Sequence, residues 1–180
     1  MSFDAFMYFP KDNSDVAGET NDDAMSDSKY KAFELISFEF GAENNINIGS
    51  ISGGGGAGKA TFKEFNITKK TDTASCGLFN ALCTGQHFGE GIIELRRSGG
   101  GSGVSGEWFL KFHFLMVMVQ DISWSGSDGD DVCEEAVIFQ YGAMKIEYRK
   151  QKSDGSHEKK LGFQGEAVWS RVKNKATYAC

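Results

Sequence analysis

The sequence predicts a mainly β fold: a β-barrel of two packed, mostly antiparallel sheets with one flanking α-helix at about 73–84. Three observations carry this. Apolar residues alternate with a period of two over several stretches, most clearly 107–124. Glycine supplies 23 of 180 residues and proline only one, so loops are abundant and strands are not interrupted. Only one stretch repeats its apolar residues at helical spacing. A length of 180 residues suits a single domain, 1–180, with a core large enough to need no covalent staples.

Taken in order, 1–9 offers a short strand through Phe3, Ala5, Met7 and Phe9. Residues 10–32 are polar and acidic and read as a long loop with at most a helical turn. FELISFEF at 33–40 is a strand whose apolar parity shifts from Phe33 and Leu35 to Ile36, Phe38 and Phe40, which predicts a β-bulge. Residues 41–58 end in a glycine run and read as a flexible loop. KATFKEFNITKK at 59–70 is a second strand, with another parity shift and bulge near Lys63–Glu64.

The helix follows. Asp72 can accept from the free N–H groups of a first turn. Ala74, Leu78, Ala81 and Leu82 recur at helical spacing, and Gly85 supplies a left-handed stop. Strands resume at 91–97, and 107–124 is the longest. Its even positions, Trp108 to Trp124, are apolar at eight of nine places, so that face is assigned to the core. Its odd face has polar ends around Leu115, Val117 and Val119, a patch that requires a cover from the helix, another sheet or another chain. An acidic turn at 125–131, strands at 136–141 and 143–149, a charged loop at 150–160 and a short strand around Val168–Val172 complete seven to nine strands.

Composition excludes several classes. The 25 acidic against 19 basic residues give a net charge of −6, which disfavours wrapping DNA or an anionic membrane. With 40% hydrophobic residues the chain is not disordered. No apolar run approaches the ~20 residues of a membrane-spanning helix, and the first residues carry no basic stretch leading into an apolar one, so synthesis in the cytosol without an export signal is expected. Cys76, Cys83, Cys133 and Cys180 show no metal or redox spacing and are expected as thiols.

Candidate chemistry is sparse. Gly53 to Lys59 matches GxxxxGK, but Ala60 stands where magnesium binding needs Ser or Thr, and a strand pattern follows where a phosphate-binding helix is required. The acidic group Asp128, Asp130, Asp131, Glu134 and Glu135 does not fit a calcium loop and reads as a solvated turn. His87, His113 and His157 form no ligand pattern, and His113 reads as a hydrogen-bonded structural residue. Cys76 or Cys83 with His87 lacks any nucleophile signature. No catalytic residue, cofactor or metal is therefore assigned.

The order of motifs resembles the haemolysin-coregulated protein (Hcp) family of type VI secretion systems. The opening Met1 to Met7 resembles the family's start, and Gly18-Glu19-Thr20 with Asp22-Asp23 resembles its next segment. Glu34 to Gly41 resembles its second strand. The most specific part runs from Gly53 through Gly58-Lys59, Phe65, Thr68-Lys69, Asp72, Ala74-Ser75, Leu78-Phe79, Ala81 and Gly85 to His87. Glu134-Glu135, Tyr141-Gly142 and Lys145 to Tyr148 resemble a late hairpin, and Trp169 with Asn174 a terminal W-x4-N.

The resemblance implies a non-enzymatic tube subunit. Homohexameric rings stack into a hollow tube that sheath contraction expels behind a tip spike protein, and the lumen carries or stabilises small effectors. It implies a protein cytoplasmic before firing and secreted afterwards, with no nucleic-acid partner and no membrane insertion. On that precedent Leu115, Val117 and Val119 are expected at the subunit interface, and Gly53, Gly54, Gly55 and Gly56 in a ring-stacking loop. The alternatives are a monomeric β-sandwich ligand-binding module or a small secreted effector.

Overall fold

The computed structural model describes residues 3–12, 14–47, 56–97, 106–150, 152 and 165–180. The strands are β1 (Phe3–Tyr8), β2 (Phe33–Glu34), β3 (Ser37–Glu39), β4 (Ala42–Asn47), β5 (Gly56–Phe62), β6 (Phe65–Lys70), β7 (His87–Arg97), β8 (Trp108–Ser125), β9 (Glu134–Gln140), β10 (Ala143–Tyr148) and β11 (Glu166–Ser170). The helix α1 is Thr73–Thr84. Nine strands form one antiparallel sheet in the order β2-β1-β7-β8-β9-β6-β3, with β10 branching from β8 and β11 from β10. A second sheet is the β4–β5 hairpin.

The mainly β class with one helix holds, but the expected barrel is not closed by pairing: the ladder order ends at β2 and β3. The two ends are instead joined through one segment of chain. The Leu35 N–H donates to Ala5 O of β1, and the next N–H, of Ile36, donates to Thr68 O of β6, both at 2.8 Å. This corrects the expected bulge in 33–40. The parity shift marks a change of partner between consecutive residues, not an extra residue in one ladder.

The shift near Lys63–Glu64 has the same cause. β5 belongs to the hairpin and β6 to the large sheet, so 59–70 is two strands. The loop expected over 41–58 is likewise corrected: 42–47 and 56–58 are paired strand.

β8 carries the largest departure. Its first half pairs with β10 up to Leu115↔Ala143, and its second half pairs with β9 from Met118↔Gln140. Between them Met116 has φ 53, a left-handed conformation that L-residues with side chains seldom adopt. The strand changes faces there. Phe112 and Phe114 enter the core before it, and Val117 enters after it. Even parity therefore does not mark the core face along the whole strand.

The core is aromatic. Phe65 stacks on Phe114 at 4.1 Å and on Phe139 at 4.7 Å between centroids, with Phe9, Phe33, Phe88 and Leu78 around them. Residues 10–32 do more than connect. Met25 and Ala32 bury against Phe6, Tyr8 and Ile92, covering the outer face of β1 and β7. The covering turn is built by Asp22, whose carboxylate accepts from the N–H groups of Ala24 and Met25.

Candidate interaction surface

The helix is docked by a buried charge cluster. Lys69, wholly buried, donates through Nζ to Asp72 Oδ1 at 2.6 Å, Lys70 O at 2.7 Å, and Ser75 Oγ and Glu135 Oε1 at 3.1 Å. Glu135 also accepts from Ser75 Oγ, Thr71 Oγ1 and the indole of Trp124. Asp72 closes a capping box with Ser75. The ammonium makes four contacts and the carboxylate four, so both charges are compensated where they are desolvated. This cluster gathers Lys69, Asp72, Ser75 and Glu135, and its geometry is that of a structural lock.

A second charged array lines the face of β7, β8 and β10 opposite the aromatic core. Glu94 accepts from Tyr8 Oη at 3.0 Å and pairs with Lys111 at 2.8 Å. His113 lies between Glu147, at 2.8 Å from Nε2, and Glu90, at 3.4 Å from Nδ1. Tyr178 Oη donates to Glu90 at 2.7 Å, fastening the C-terminal segment to β7. The hydrogen bond from His113 holds the Glu90 carboxyl below its usual range, against burial. For Glu147 burial pushes upward, and the Lys145 hydrogen bond with the charge and hydrogen bond of His113 bring it below the usual range. Burial and Glu94 push the Tyr8 phenol up. Burial and the bond to Glu90 do the same for Tyr178.

The residues singled out in the sequence fall as follows. Val117 is 0% exposed and Val119 packs against the same core. Leu115 is half-buried and shares the charged face with His113 and Glu90. The three do not form one patch, because the left-handed residue Met116 separates Leu115 from Val117; within the chain Val117 is buried and Val119 partly buried. Gly53, Gly54 and Gly55 lie outside the described residues, and Gly56 begins β5. A Cβ at Gly58 would lie 2.4 Å from Asn45 O across an irregular pair in the hairpin. That glycine serves a close strand approach, and Lys59 follows it on a strand, not at a helix start. The cysteines are free and exposed. His113 is the structural histidine expected, while His157 lies outside the described residues. Among the described residues no group of three or more His, Cys, Asp or Glu is placed to hold a metal.

Sequence reasoning missed a groove between the β4–β5 hairpin and the β10–β11 pair. Its cation-bearing compartment, about 540 Å³, is lined by Lys59, Met116, Tyr141, Trp169, Arg171 and Asn174 among others. Its apolar compartment, about 330 Å³, is lined by Phe40, Ala42, Met144, Ile146 and Val168 among others. Phe62 and Trp169, 6.5 Å apart and stacked, line both. Trp169 and Asn174 carried a motif; the groove depends on pairings between distant strands and left no local signal.

The fold and its surfaces define a two-sheet β protein whose buried charges lock the one helix among the described residues to its sheet. The family model described as "Type VI secretion system effector, Hcp" matches residues 7–148. The chain belongs to this Hcp family of type VI secretion proteins.

A curated relative, Protein hcp1 of Pseudomonas aeruginosa, is 27% identical over 100 residues, which is 56% of this chain and 60% of the relative. That matched stretch thus spans less than two thirds of the relative's length. A solved structure described as a type six secretion system protein is 30% identical, with a TM-score of 0.82 covering 97% of this chain and 99% of that one. Hcp1 from Salmonella typhimurium, 22% identical, shares the fold at a TM-score of 0.67 over 98% and 100% of the two chains.

Proposed function

We propose that this chain is the subunit of a type VI inner tube. It closes homohexameric rings, the rings stack, and sheath contraction expels the tube behind its tip spike with small effectors in the lumen. The observation that carries this reading is the end-to-end likeness to a type six secretion system protein at 30% identity. Family membership over 7–148 supports it. The subunit acts by shape and contact, without catalysis, cofactor or nucleic acid. It is cytoplasmic before firing and leaves through the apparatus. Gly53, Gly54, Gly55 and Gly56 remain the proposed stacking residues.

The buried lock fits this role, since a tube subunit must hold its shape while being driven outward. Sedimentation of the pure protein across micromolar concentrations tests the reading. A particle of six times the 19.7 kDa protomer mass is expected. A well-folded monomer throughout would overturn it in favour of a binding module or a small effector.

A further inference from the structure

The groove has two compartments of different chemistry. In the one lined by Lys59 and Arg171, Lys59 is exposed, and neither cation makes an ion pair among the described residues. Arg171 spends Nη1 on Gln140 Oε1 and Tyr141 O and spreads over the Tyr141 ring. Tyr141 is 4% exposed, and its hydroxyl has no hydrogen-bond partner among the described residues. Two cations without an ion-pair partner and a buried donor without an acceptor, among the described residues, describe a seat for an anion. The adjoining compartment, beyond Phe62 and Trp169, is almost wholly apolar.

The occupant must therefore present a carboxylate next to an apolar side chain. The β8–β9 turn of this same chain does so. Asp128 and Asp131 are exposed and form no ion pair among the described residues, and Val132, directly after Asp131, is 45% exposed. A chain cannot fill its own groove. Met116 lines the groove and Trp124 adjoins the turn, and both lie on β8, eight residues apart, which is about 26 Å of strand.

We infer that the acidic β8–β9 turn of one copy seats in the groove of a second copy, with Asp131 between Lys59 and Arg171 and Val132 in the apolar compartment. This rests on the ring reading and names its contact. The two patches differ, so the contact is head to tail, the geometry that generates rings when the rotation closes.

The test is charge reversal followed by sedimentation of the full chain, with thermal melts to confirm folding. Lys59→Glu and Asp131→Lys, both at exposed positions, are each expected to raise the half-assembly concentration at least tenfold. Combined in one chain, the two reversals are expected to restore assembly to within a few-fold of wild type. Mixing the two single variants is expected to restore rings of alternating composition, because each variant's groove is complementary in charge to the other's turn. Normal rings from either single variant, or no recovery in the combined one, overturn this contact and leave the ring reading standing. A wild-type monomer overturns the ring reading itself, and the contact with it.

Discussion

Lys69 holds its ammonium in the core beside Glu135, Asp72 and Ser75, and the Phe33 ring lies 5.2 Å away. Removing one partner from such a cluster leaves a desolvated charge, at a cost of about 3–5 kcal/mol. Lys69→Met is expected to lose that much stability in urea unfolding, and Lys69→Met with Glu135→Met to recover most of it. If the single variant costs no more than an ordinary surface change, the cluster is not what docks the helix. The Glu90 and Glu147 carboxyls lie below their usual value of 4.5, so the folded state binds their protons less readily than the unfolded one. Their stabilisation is complete above pH 4.5 and is lost as pH falls through the lowered folded values. Unfolding midpoints of wild type and Glu147→Gln, followed from pH 7 down to pH 3, are expected to converge. A gap that persists at pH 3 would point to lost packing and not to charge.

Elements differ in how much of them the sequence displays, and α1 and β8 mark the extremes. All that defines α1 is local: Asp72 caps it, Ala74, Leu78 and Ala81 bury, and Gly85 at φ 69 stops it. Its bounds could be read directly. The parity shifts in 33–40 and 59–70 were visible, but a sequence shows only that a face changes. Whether a bulge or a new partner causes the change is decided by β1 and β6, distant along the chain. At Met116 no sequence signal exists, since methionine is not a residue that favours positive φ. Of the interaction surface, the motif residues Trp169 and Asn174 could be singled out, while the groove they line arises from long-range pairing. The strained corner is testable. Met116→Gly is expected to melt at or above the wild-type temperature, since glycine adopts φ 53 without penalty. Met116→Val is expected to cost about 1–2 kcal/mol, because a β-branched side chain crowds that conformation. A Met116→Val protein as stable as wild type would mean the corner is not left-handed.

The whole molecule carries a charge of −6, and every copy in the proposed ring would carry the same. Two kinds of contact follow, and salt separates them. Within a ring, the proposed contact joins a cationic groove to an acidic turn and adds apolar burial; screening weakens its charged part and leaves the apolar part intact. Between the rings of the proposed tube, six acidic subunits would face six others, so bringing two rings together would work against long-range repulsion. The screening length is about 10 Å at 0.1 M salt and about 3 Å at 1 M. Added salt is therefore expected to lengthen stacks while ring occupancy changes little. Negative-stain microscopy at a fixed protein concentration, from low salt to about 0.5 M, reads both quantities in one series. Longer tubes at the low-salt end would mean that the two ring faces bear opposite charge and attract. Net charge would then be the wrong quantity from which to argue stacking, and the polarity of each face would govern it instead.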